Sequence, residues 1–343
     1  MATHLWGILS ALWPPGAAGQ VQQDSSEKFR LTTGPCAAKG YPMTIQFGAF
    51  VRPDGKTLPV PAGHTLEGKW GMSSIGQVVG DEFQPVPVSL EILYFSYLED
   101  TFYEGQFALP QQRIGQLLRT GFWHHRQQQQ LTYDELMVCV LPKGAVVVWL
   151  AGVGRQVLVG RYQGQPANID FRRFYPKTDR AELLRYTLAE APPAIRAQAQ
   201  AGTLSARQWD DYLQTYSWQV ALPPTLKLTY YRANFLSGEY VSEPETRDMA
   251  AYVQGILTPQ ARPVPSRFSL SVTDEAGHKY ILAADALDEA EMQAAFRQLH
   301  AAHPGAPLTL HVETDKYVKA VSLVLEAGGQ RIALTKSPVR VVM

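Results

Sequence analysis

The sequence predicts an α+β fold in which antiparallel β-sheets carry short packing helices. Three observations lead there. Short runs of alternating apolar and polar residues recur along the chain, bounded by Gly, Pro and Asp turns. Helical periodicity occupies only brief windows. The composition, 45% hydrophobic and 18% charged, is that of an ordinary globular protein. At 343 residues the chain exceeds what one hydrophobic core usually organises, so two cores are expected.

Residues 5–13 form an apolar run, followed by Pro14, Pro15 and the small residues 16–19. This has the outline of a signal peptide without the Lys or Arg of an n-region. Residues 1–28 are therefore read either as an export leader or as a structureless lead-in. No other stretch has the length of apolar residues needed to span a bilayer.

Residues 43–51 read as a strand, and Pro53-Asp54-Gly55-Lys56 as a tight turn into 57–60. Residues 61–84 hold five glycines around Trp70 with neither period, and are assigned to loop. From Val86 to Tyr97, Val88, Leu90, Ile92 and Tyr94 alternate against Ser89, Glu91 and Leu93, and Thr101 to Ala108 is the partner strand. Pro110 then opens a short helix carrying Ile114, Leu117 and Leu118, which Gly121 closes. His124 to Gln130 is a polar connector before strands at 133–140, 145–151 and 156–162.

Helical character is expected between 168 and 218. Asp179 caps a helix carrying Leu183, Leu184, Tyr186 and Leu188, and Ser205 a second one carrying Trp209, Tyr212 and Leu213. Pro192-Pro193 separates or kinks them. Strands resume at 226–234. Residues 259–265 contain three prolines and are the best linker candidate. A main domain over 29–258 and a smaller C-terminal domain over 266–343 follow from that boundary. In the latter, a hairpin at 267–284, a helix from Leu287 and strands at 308–313, 318–325 and 330–334 repeat the order of residues 88–163. Leu109, Ile114, Leu117 and Leu118 fall on Leu287, Met292, Ala295 and Phe296 at one offset. Either an internal duplication of a ββαβββ unit or the periodicity common to any such unit accounts for this.

No catalytic, cofactor or metal motif stands out. Gly152-Val153-Gly154 precedes a strand, whereas a dinucleotide loop must open a helix. The segment 34–40 lacks the Gly-Lys-Ser/Thr ending of a phosphate loop and reads as a loop before a strand. Ser73 and Ser74 miss the spacing of a nucleophile elbow, and the adjacent His124 and His125 point apart, unlike an i,i+4 metal pair. Glu99, Asp100 and Glu104 are the one local carboxylate cluster. They either act as acid and base or, as is usual at a hairpin tip, sit in water around the turn. Cys36 and Cys139 are either two thiols, Cys139 packed as a small hydrophobe, or one bridge. Lys plus Arg and Asp plus Glu number 31 each, which leaves no net field to hold nucleic acid. Trp70, Trp123, Trp149, Trp209 and Trp218 are of the type that dominates protein interfaces, although each taken singly is by default a core residue.

The stretches Leu93-Tyr94-Phe95-Ser96-Tyr97-Leu98-Glu99-Asp100-Thr101-Phe102-Tyr103-Glu104-Gly105 and Val138-Cys139-Val140-Leu141-Pro142-Lys143-Gly144-Ala145-Val146-Val147-Val148-Trp149, with Lys39-Gly40-Tyr41-Pro42 and Asn234-Phe235-Leu236-Ser237-Gly238-Glu239-Tyr240, resemble the bacterial family known as domain of unknown function 2931. The resemblance covers about residues 29–240. Many members are described as lipoproteins, and some lie beside secreted lipase-type toxins. It implies no catalytic residues and no cofactor, an envelope or periplasmic location (cytoplasmic if the leader is not a signal), and a protein partner such as a cognate toxin. The chain departs from the lipoprotein pattern in having no lipid-acceptor cysteine near its start. The function expected is that of an envelope immunity or inhibitor protein. An envelope scaffold and a hydrolase using Glu99, Asp100 and Glu104 are the alternatives. Any binding surface is expected to span both ββαβββ units.

Overall fold

A computed structural model of the chain describes residues 27–66, 68–73 and 82–342. Residues 1–26 of the expected leader, and Ser74, lie outside the described residues. The chain runs through β1 (Thr32–Ala37), β2 (Met43–Val51), β3 (Thr57–Pro59), β4 (Thr65–Leu66), β5 (Ser89–Ser96) and β6 (Thr101–Ala108). Then come α1 (Gln111–Thr120), β7 (Phe122–His124), β8 (Gln129–Leu131), β9 (Glu135–Val140), β10 (Ala145–Gly152), β11 (Arg155–Gln163) and β12 (Gln165–Ala167).

Alternation decides how these strands face. Leu90, Ile92 and Tyr94 of β5 point inward and are buried, in a sheet ordered β12-β6-β5-β2-β3 with β4 also on β2. Opposite it lies a ladder in which β1 runs parallel to β9, followed by antiparallel β10 and β11. The Tyr94 hydroxyl crosses between the sheets and donates to the Leu141 carbonyl at 2.8 Å. β9 and β10 are apolar almost throughout because both of their faces are covered. On their far side Trp149 meets Trp70 edge to face at 4.7 Å, and its indole N–H donates to the Ser237 carbonyl. α1 starts after Pro110 and stops at Gly121, whose φ of 56° and contact with the Leu131 carbonyl leave no room for a side chain.

A crossover follows: a 3₁₀ turn at Phe171–Arg173, then α2 (Arg180–Glu190), α3 (Pro193–Gln200) and α4 (Arg207–Tyr212). Asp179 caps α2 by accepting from the Glu182 N–H, as expected. Proline at the first turn of α3 starts a helix where the sequence suggested only a break.

The rest consists of β13 (Thr215–Ala221), β14 (Leu226–Phe235), β15 (Tyr240–Val241), α5 (Met249–Leu257), β16 (Gln260–Pro263), β17 (Pro265–Asp274), β18 (Lys279–Ala284), α6 (Glu289–Ala302), β19 (Leu308–Thr314), β20 (Val321–Ala327), β21 (Gln330–Ala333) and β22 (Arg340–Val342). It repeats the plan of the first half. β13 runs parallel to β19 as β1 does to β9, and β19-β20-β21 is an antiparallel meander like β9-β10-β11. β14-β17-β18-β22 matches β2-β5-β6-β12 in order. Even a register shift recurs, between Ile45 and Phe47 in β2 and between Leu228 and Tyr230 in β14. The shared plan thus reaches upstream of the ββαβββ units seen in the sequence. The halves join edge to edge, β15 bridging β11 and β14, in a nine-stranded sheet ordered β1-β9-β10-β11-β15-β14-β17-β18-β22.

Several expectations need correction. The proline-rich 259–265 is not a linker. It forms β16 and the start of β17, with Val264 buried, because its prolines sit at strand ends where a missing N–H is tolerated. β14 and β17 pair along their length across the expected boundary. Residues 34–37 are not loop but belong to the buried strand β1, and the polar connector at 124–130 lies within the β7–β8 hairpin. The helical region ends before β13, which begins at Thr215.

Candidate functional site

The three carboxylates at the β5–β6 turn do not converge. Glu99, its side chain only 4% exposed, turns inward. It accepts from Ser96 Oγ at 2.8 Å, Tyr103 OH at 3.1 Å and the Lys143 backbone N–H at 3.2 Å, with Lys143 Nζ at 3.4 Å. These donors occupy its lone pairs and tie the β5–β6 turn to the β9–β10 turn. Burial, and then the Glu99 charge, push the Tyr103 phenol well above its usual range. Asp100, at φ 50°, pairs with Arg180 at 2.8 Å. Glu104 follows Tyr103 on the strand, so it lies on the opposite face and is exposed. Glycoside-type acid–base work pairs two carboxyl groups across one substrate, whereas here Glu99 is engaged in joining two turns.

Ser73 lies close against Gly34 and beside the Glu135 carboxylate. His124 Nδ1 accepts from the Gln127 N–H, while His125 donates its backbone N–H to Glu243. Among the described residues no group of three or more His, Cys, Asp or Glu is placed to hold a metal. Trp123, Trp149, Trp209 and Trp218 are buried, and Trp70 packs half-buried against Trp149 and Trp209. These indoles are core, not interface.

The surface that stands out lies on the crossover. Outward on β5, β6 and the turn between them, Leu93, Phe95, Tyr97 and Phe102 form an aromatic floor, and Phe171, Phe174, Tyr175, Leu183 and Leu184 cover it. The positions of β17 that match Leu93 and Phe95, Ser271 and Thr273, are polar and half-exposed. Over the floor, Tyr175 stacks on Phe171 at 4.6 Å, and its hydroxyl accepts from Gln46 Nε2 at 2.6 Å and meets Tyr97 OH at 3.2 Å. Burial, followed by the bond to Tyr97, raises the Tyr175 phenol. The Arg180 guanidinium lies 5.2 Å from the Phe171 ring centre. Neither α2 nor α3 buries a single residue fully. Tyr186 is 64% exposed. A hollow of about 350 Å³ opens beside them, lined by Asp170, Phe171, Arg172, Thr178, Asp179, Arg180 and Ala181. Arg and Tyr side chains are thus gathered over an aromatic base. The signal for it in the sequence was the run Phe171-Arg172-Arg173-Phe174-Tyr175.

A family model described as protein of unknown function, DUF2931, matches residues 17–202. The chain belongs to this family. The stretch typical of DUF2931 takes in β1 to β12 and the crossover through α3, and it ends before the second half. It therefore stops short of the 240 that the sequence suggested. No curated protein and no solved structure matches this DUF2931 chain. Among the described residues no helix is long and apolar enough to cross a membrane.

Proposed function

We propose that this DUF2931 protein is a non-enzymatic binding protein of the bacterial envelope, an immunity or inhibitor protein whose partner is a secreted lipase-class toxin. The observation that carries the reading is the α2–α3 hairpin. Helices in a globular protein ordinarily bury one stripe, yet α2, resting Leu183 and Leu184 on the aromatic floor, and α3, resting Ile195 and Ala199 on the main core, have no fully buried residue. The pair presents Arg185 and Tyr186 to solvent, and the hollow at the start of α2 is open rather than enclosing. On this reading the contact region is the crossover between the halves and not a surface spanning both ββαβββ units.

The test is co-expression of the full chain with a secreted lipase-class toxin from the same bacterium. A stable complex and protection of the host cell are expected, both weakened by the paired substitutions Arg185→Ala and Tyr186→Ala. If the chain forms no complex and gives no protection, the reading is lost.

A further inference from the structure

In the parallel pair of β1 and β9, Cys36 stands directly opposite Cys139. Side chains of directly paired residues project from the same face of a sheet, and the two thiols are in hydrogen-bonding contact. Both are 0% exposed. Adjacent strands bring paired Cα atoms to about 4.8 Å, inside the roughly 4.4–6.8 Å that a disulfide spans. β1 is the outermost strand of the nine-stranded sheet, and nothing covalent holds it to β9. We infer that Cys36 and Cys139 are the site of an intramolecular disulfide, formed while the chain folds in the presence of a disulfide donor and then sealed inside the sheet.

Timing follows from burial. Burial, together with the neighbouring sulfur, pushes the Cys139 thiol well above its usual range in the folded chain, so the reactive thiolate is scarce once the sheet has closed. Oxidation therefore belongs to the unfolded or closing chain. One cysteine thiolate attacks the disulfide of a thiol oxidoreductase or of oxidised glutathione, forming a mixed disulfide and expelling the donor's other sulfur as a thiolate. The second cysteine thiolate then displaces the donor's remaining sulfur. The protein loses two hydrogens in total, and the donor gains two electrons and two protons. The bond closes a loop of roughly 100 residues, long enough for a large effect on the unfolded chain. Because later exchange needs access that the sheet denies, the redox state records the compartment in which the chain folded. The bond stands apart from the toxin-binding reading and survives its failure.

The experiment refolds the reduced, urea-unfolded full chain in a mixture of oxidised and reduced glutathione, then counts thiols by alkylation under denaturing conditions and by intact mass. The expected product has no alkylatable thiol, carries no glutathione, weighs two hydrogens less than the dithiol and regains the β-rich circular dichroism spectrum. Its urea midpoint should lie roughly 1 M above that of the Cys36→Ala/Cys139→Ala variant, which serves as the unbridged reference. Two alkylatable thiols in the refolded chain, a glutathione adduct, or an oxidised chain that fails to regain the spectrum would overturn the proposal.

Discussion

Replacing Glu99 by alanine removes the acceptor shared by Ser96, Tyr103 and the Lys143 N–H, and leaves a gap between two turns. Hydrogen bonds to a charged acceptor contribute about 1.5–3 kcal/mol each, and a stranded buried donor costs about 1–3 kcal/mol. Water reaching the Lys143 side, where Nζ is half-exposed, offsets part of this. The ion pair itself contributes little at such a site. The Tyr103 hydroxyl, on a residue only 5% exposed, is the donor hardest to satisfy otherwise. A loss of about 3 kcal/mol is expected for Glu99→Ala and about 1–2 kcal/mol for the isosteric Glu99→Gln, which keeps one acceptor. Urea denaturation followed by tryptophan fluorescence measures both, and a cycle with Tyr103→Phe should return a coupling of about 1 kcal/mol. Removing the Glu99 charge should also let the Tyr103 phenol titrate lower, which ultraviolet difference spectroscopy reads. A change below about 0.5 kcal/mol, or a gain in stability, would refute the structural role. A gain would instead mark Glu99 as a residue kept for chemistry at the expense of the fold.

Other outcomes follow from the same geometry. Gly71 and Gly238 both have positive φ and approach so closely that a Cβ on Gly71 would lie 2.8 Å from the Gly238 Cα, while Gln156 donates to both carbonyls at 2.9 and 2.6 Å. Gly238→Ala should therefore cost about 2 kcal/mol or more in urea denaturation. Burial raises the folded-state pKa of Asp134 and of Glu135 above the unfolded value. The protonated forms are thus favoured in the fold, and their contribution to stability is present at acid pH and lost as pH rises through the raised carboxyl range. Glu135→Gln should make the chain more stable at neutral pH by under about 1 kcal/mol, with the difference vanishing near pH ~3. Tyr186→Ala should leave stability within about 0.5 kcal/mol while weakening partner capture, since its side chain is mostly in water.

What could be read from the sequence was whatever rests on local chemistry. The β5–β6 hairpin followed from period-two burial, α1 from Pro110 and Gly121, and α2 from the Asp179 cap. β1 was missed because Gly34, Pro35 and Cys36 look like loop residues, and only pairing with the largely apolar β9 makes them strand. β16 was missed because three prolines outweigh everything else locally, whereas its partner β13 lies in a region that read as helical. α5 is apolar with no long polar face, so its periodicity is weak. The carboxylate trio was visible as a cluster in sequence, but its dispersal was not. Alternation puts Glu99 and Glu104 on opposite faces only once the turn between them is fixed. The aromatic floor was legible only in part, since Phe95 and Phe102 sit where an isolated hairpin would show solvent-facing side chains.

The shared plan of the two halves bears on how the chain folds as it is made. β1 to β12 find their strand partners among residues before 168, apart from β11, which also meets β15, and β13 to β22 find theirs after 214, apart from β15. The first half can therefore close both of its sheets during synthesis, before the second has emerged. In the strand ladder Arg155 and Gln156 then wait for Val241 and Tyr240, and the Trp70 and Trp149 indoles wait for the Leu236 and Ser237 carbonyls. Sequence separation between strand partners, β15 excepted, is thus confined within each half, which favours two successive folding events over one slow closure of the whole chain.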